Sequence, residues 1–239
     1  MRPHSFIITL ALCLTLLFTF INHALGQPKA PTGGRLAIVV DERLAALRTT
    51  PQLNGKLVRR LSRGRLVAIT GAKSTTGGIV FYRVNVTTRT RGWIQRESVV
   101  SPSRSGDDQR LLNLIQTSTA FDRIARSRIF LDHFRHSRLR PAVLLILGNT
   151  AEDLAAKLSD QARRKLNTDL SEAHEFSYFL NYSGLDRYNR QNVHFTFNPA
   201  TKRLHYDGAA YRHLLRHHSQ SPEATEARQR LLDLARRFP

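Results

Sequence analysis

Short β-rich segments cut by glycines fill residues 35–102, and this pattern constrains the fold more than any other feature of the chain. Residues 36–40 are a brief apolar run, residues 44–48 precede a Thr-Thr-Pro turn, and residues 56–61 lead into Ser62-Arg63-Gly64. Residues 65–70 end at Gly71, and residues 74–78 (STTGG) read as a loop tip. Residues 80–86 alternate, with Tyr82, Val84 and Val86 on one face and Phe81, Arg83 and Asn85 on the other. Arg91-Gly92-Trp93-Ile94 and residues 98–100 close the set. Strands this short at this spacing predict a small barrel.

The segment resembles the bacterial SH3 domain. Ala46-Leu47-Arg48 with Pro51, Lys56-Leu57-Val58, residues 61–69, Phe81-Tyr82-Arg83-Val84 and Arg91-Gly92-Trp93-Ile94 carry the resemblance. It implies a small β-barrel that binds peptides or wall polymers and has no catalysis of its own. Two features depart from the family: Phe81 stands where a tryptophan is usual, and the loops are more basic.

The N-terminus predicts export. Arg2 supplies a positive n-region, residues 6–21 form an uncharged apolar run, and Ala24 and Gly26 fit an A-x-G cleavage site. The run is shorter than the roughly 20 residues of a spanning helix, so a signal peptide at 1–26 is expected rather than an anchor. Cleavage before Gln27 removes the single cysteine, Cys13, and the single methionine. A mature chain without cysteine has no internal disulfide and no thiol nucleophile. The expected location is periplasmic or extracellular, with no membrane span after cleavage.

Charge is the next constraint. Residues 27–105 hold 15 Lys plus Arg against 3 Asp plus Glu, and residues 106–239 hold 21 against 15. A field of this sign favours an anionic envelope polymer or peptide, such as peptidoglycan or lipopolysaccharide. Solubility is the plain alternative. Nucleic acid is not expected, since none of its usual binding motifs is present.

Beyond a linker at 103–109 the spacing turns helical. Residues 110–115, residues 120–134 and a segment from Pro141 through Leu158 show it, and Ser159-Asp160 reads as a cap for a further helix to about Leu180. Residues 129–137 echo residues 213–221, each leading to a proline-started helix at Pro141 or Pro222. Residues 206–232 resemble a tetratricopeptide hairpin of the envelope-lipoprotein type, with Ala224 and Ala227 as small contact residues; an ordinary helical bundle is the alternative. Residues 192–206 predict a β-hairpin insert turning at Asn198-Pro199, either a recognition loop or a lid over the helices. The fold class is thus multi-domain β plus α: an SH3-like barrel at 35–102 followed by an α-helical domain at 110–239.

The chain carries few signatures of catalytic or metal chemistry. His213 and His217 have i, i+4 spacing, and His133 and His136 lie three apart, but no Glu accompanies them as in a zincin motif, and basic helix ends explain both. No metal, cofactor or catalytic residue is assigned. Glu172, Glu175 and Asp186 near Tyr182 and Tyr188 support the alternative of a cell-wall hydrolase with carboxylate catalysis. The leading site is the basic barrel face: Arg59, Arg60, Arg63, Arg65, Arg83, Arg89 and Arg91, with Phe81 and Trp93 interleaved. Guanidinium groups bind carboxylate and phosphate through paired bonds, and aromatic faces stack on sugars or planar groups. The expected function is that of an exported, non-enzymatic cell-envelope binding or scaffold protein, with a protein partner on the helices.

Overall fold

The computed structural model describes residues 33–166, 184–198 and 200–237. The expected signal peptide, most of the linker at 27–34, and the helix end expected near Leu180 lie outside these residues.

Among the described residues, seven strands precede the first α-helix: β1 (Arg35–Val39), β2 (Ala46–Arg48), β3 (Leu57–Arg60), β4 (Leu66–Ser74), β5 (Val80–Asn85), β6 (Arg91–Gln95) and β7 (Val99–Val100). They form one antiparallel sheet in the order β3-β2-β6-β5-β4-β1-β7. Its edges, β3 and β7, do not pair, so the sheet is open where the sequence predicts a closed barrel. A 3-10 turn at Arg96–Ser98 separates β6 from the two-residue β7, whose strand pairing among the described residues is with β1.

Strand alternation divides the apolar side chains between two cores. Ala37 and Val39 of β1 pack inside the sheet with Leu47, Val67, Val84 and Ile94. Ile38 faces the other way and, with Val40 and Val100, joins the core of the helices. A strand covered on both faces needs apolar side chains at every position. Residues 36–40 therefore show no polar alternation.

Helices α1 (Asp107–Thr117), α2 (Ala120–His133) and α3 (Arg140–Leu166) follow, then a short α4 (Leu185–Asn189). The hairpin of β8 (Phe195–Asn198) and β9 (Arg203–Tyr206) leads to α5 (Ala209–His217) and α6 (Glu223–Arg237). Asn198 Oδ1 accepts the Ala200 amide at 2.9 Å and shapes the hairpin turn. Ser159 does not cap a new helix: α3 runs through it without a break. Its hydroxyl donates to Ala155 O at 2.7 Å and accepts the Leu204 amide at 2.8 Å, which docks β9 on α3. The hairpin thus rests on the helices. Tyr188 is fully buried and meets Phe121 and Phe195 edge-on, each at 5.5 Å.

The segment between sheet and helices is a pinned turn. Asp107, 4% exposed, accepts the Ser101 amide at 2.8 Å, and Ser101 Oγ donates to Leu36 O at 2.6 Å. A second polar seam lies on α2. The Arg126 guanidinium, 7% exposed, donates to Val40 O at 3.1 Å and to Ser118 Oγ, and stands 3.7 Å from Asp41. Desolvation holds the Arg126 pKa below its ordinary value. Burial alone would raise the pKa of Asp41, but hydrogen bonds from Arg43 and the charges of Arg43 and Arg126 outweigh it and hold that carboxyl low.

Candidate functional site

The structure redistributes the nine residues of the predicted basic face. Cross-strand register sets Arg83 of β5 opposite Trp93 of β6, and Trp93 opposite Arg48 of β2. Residues paired in this way share a face, with backbones about 5 Å apart. Trp93 therefore lies between two arginines in one row. Arg91 is two residues along β6 and on the same face. Gly71 of β4 pairs with Arg83 and leaves the far end of the row without a side chain. Trp93 is half-buried, while Arg83 and Arg91 are exposed.

Two local features position this row. A Cβ at Gly92 would lie 2.6 Å from Arg48 O, so only glycine lets β6 approach β2 this closely beside Trp93. Arg48 Nη1 donates to Gly55 O at 2.7 Å, which orients the guanidinium and ties it to the β2–β3 loop. Arg48 was not among the predicted site residues. The Ala46-Leu47-Arg48 strand was legible in the sequence, but its pairing with β6 joins residues 45 positions apart and has no local signal.

Several predicted members fall elsewhere. Phe81 is fully buried and cannot stack on a ligand: a ring with no exposed surface serves packing. Arg63 is turned toward α2, where Nη1 pairs with Asp122 at 2.8 Å, so it belongs to the seam between sheet and helices. Arg65 is half-buried and donates to Val86 O at 3.4 Å. Arg59 and Arg60 are exposed on edge strand β3, and Arg89 is exposed in the turn between β5 and β6. Among the described residues Arg48, Arg59, Arg83, Arg89 and Arg91 form no ion pair. The sequence holds 12 Lys and Arg and no Asp or Glu between Glu42 and Glu97. Arg43, Arg63 and Arg96 of this stretch pair with Asp41, Asp122 and Glu97, and the other nine form no ion pair among the described residues, so an anion meets a net positive field and no carboxylate from β2 to β6.

The carboxylate alternative rests on Glu172 and Glu175, which lie outside the described residues together with Tyr182; Asp186 is exposed on α4. Among the described residues no group of three or more His, Cys, Asp and Glu side chains is placed to hold a metal ion. The His213 and His217 rings lie with centres 4.5 Å apart and planes tilted by 42°. No helix among the described residues is long and apolar enough to cross a membrane. Comparison with protein-family models, with curated proteins and with solved structures finds no match to this chain.

Proposed function

We propose that the chain is an exported, non-enzymatic cell-envelope binding or scaffold protein, whose basic sheet face holds an anionic polymer or peptide. One observation carries the reading: the half-buried Trp93 ring in register between Arg48 and Arg83, within a stretch of sequence empty of acidic residues. The two guanidiniums take carboxylates or phosphates by paired hydrogen bonds, and the ring between them takes the apolar face of a sugar or peptide. We read the sheet as an SH3-type module and the helices as a partner-binding domain, of tetratricopeptide type or a plain bundle. The apolar run at 6–21 and the A-x-G site support export.

Retention of the purified mature protein on peptidoglycan and on lipopolysaccharide tests the proposal. Retention should fall with salt, because a Debye length of about 8 Å at physiological ionic strength shrinks as salt is added. Changing Arg48, Arg83 and Arg91 to Gln should cut retention at least tenfold while the melting temperature stays within a few degrees. Retention indifferent to salt and to the triple variant overturns the proposal. Release of soluble fragments from peptidoglycan would replace it with the hydrolase reading.

A further inference from the structure

A cavity of about 300 Å3 opens between α2, α3 and the start of α5, remote in sequence from the seven-stranded sheet. Its floor is apolar: Leu131, Leu144, Leu147 and the ring of Tyr206. All four are buried, at 9% exposure or less. Its mouth is cationic. Arg140 stands at the first position of α3, and its Nη1 donates to Leu131 O at 2.7 Å and to Phe134 O at 3.5 Å. Among the described residues its Nη2 and Nε make no hydrogen bond. His213 of α5 lines the same mouth. The one acid there, Asp132, pairs with Arg128 at 3.2 Å, and its charge also reaches Arg140.

Burial, together with the charges of His217, Arg140, His218 and Arg216, lowers the His213 pKa, and desolvation also lowers that of Arg140. A carboxylate between them would pair with the Arg140 guanidinium and favour the protonated form of the His213 imidazole. An apolar floor with a few convergent polar groups at the rim is the usual form of a small-molecule site. A volume of about 300 Å3 is at the lower end of the range of small-molecule sites, which suits a compact ligand.

We propose that this cavity binds a small amphipathic monocarboxylate, with its apolar body on the leucine and tyrosine floor and its carboxylate between Arg140 and His213. This site is independent of the basic sheet face. A medium-chain fatty acid has the required chemistry, and octanoate is the probe. Octan-1-ol, which has the same chain without the charge, is the control.

Calorimetric titration of the full mature chain, with amide chemical shifts to locate the site, provides the test. Octanoate should bind and shift the amides of Leu131, Leu144 and His213, and octan-1-ol should bind at least tenfold more weakly. His213→Gln and Arg140→Gln should each weaken octanoate at least fivefold. His213 is exposed, so its variant serves if Arg140→Gln fails to fold. Ala209→Phe, at a half-buried lining position, should block the cavity and abolish binding. Equal binding of octanoate and octan-1-ol, binding that survives Ala209→Phe, or the absence of shifts at these amides overturns the proposal.

Discussion

Replacing Gly148 by alanine sets two effects of opposite sign against each other. Gly148 lies inside α3, where glycine is worse than alanine by about 1 kcal/mol, so helix propensity alone makes Gly148→Ala stabilising. The tertiary structure predicts the reverse. A Cβ at this position would lie 2.3 Å from Cε1 and 2.6 Å from Cζ of Tyr211, which is fully buried. The ring has little freedom to retreat. Its hydroxyl sits 2.7 Å from Asn149 Oδ1 and 2.6 Å from Glu152 Oε1, and its other side meets Tyr206 edge-on at 6.1 Å. Burial, and after it the hydrogen bond to Glu152, push the phenol pKa well above its ordinary value, so the hydroxyl remains a donor. Overpacking costs about 1–3 kcal/mol, and displacing a buried hydroxyl from its acceptors costs about 1–2 kcal/mol more. After the propensity gain, the net loss is about 1–4 kcal/mol, or about 2–16 °C in melting temperature for a chain of this size. Urea unfolding and calorimetry of both proteins measure it. The decisive comparison is a double-mutant cycle: in a Tyr211→Ala background the ring is gone, and Gly148→Ala should become neutral or stabilising. A stabilised single variant, or the same loss in both backgrounds, refutes the contact as the reason for this glycine.

Two other perturbations test the seam and the pH response. Arg126→Met should cost about 3 kcal/mol, because it strips the Val40 carbonyl and Ser118 hydroxyl of their donor and leaves Asp41 with less compensation; hydrogen exchange should rise first at residues 38–41 and 118–126, and a change within about 0.5 kcal/mol would show that the seam contributes nothing. Stability should fall as pH drops below about 6.5, because burial depresses the pKa values of His133, His213 and His218 and the unfolded chain then binds more protons than the folded one. Asp41, held low in the fold, adds stability above its unfolded value near 3.8 that is lost as pH falls through its folded pKa. Melting curves from pH 8 to 4 read the histidine effect directly, and a flat profile between 7 and 5 contradicts it.

Local patterning accounts for much of this molecule. The alternation in residues 80–86, the glycine-bounded runs of residues 35–102 and the change to helical spacing near Asp107 depend on periods of two and 3.6 residues, which the chain carries in itself. The turn at Asn198 is equally local, since its side chain bonds its own backbone. Relations between distant residues were not legible. Phe81 and Arg83 alternate onto one strand face in the sequence, yet Phe81 is buried and Arg83 exposed, because burial depends on what the rest of the fold lays over each position. Arg63 and Arg83 are alike as letters, but only the packing of α2 against the sheet gives Arg63 a carboxylate at 2.8 Å, while Arg83, beside Trp93, forms no ion pair among the described residues. Ser159 carries the letter of a helix cap, and the docking of β9 makes it a mid-helix anchor. Arg48 entered the site through a strand pairing that spans 45 residues. Local periodicity determines which elements form, because its physics is contained within a few residues. Which side chains are free to meet a ligand is decided by long-range packing, which no short window of sequence contains.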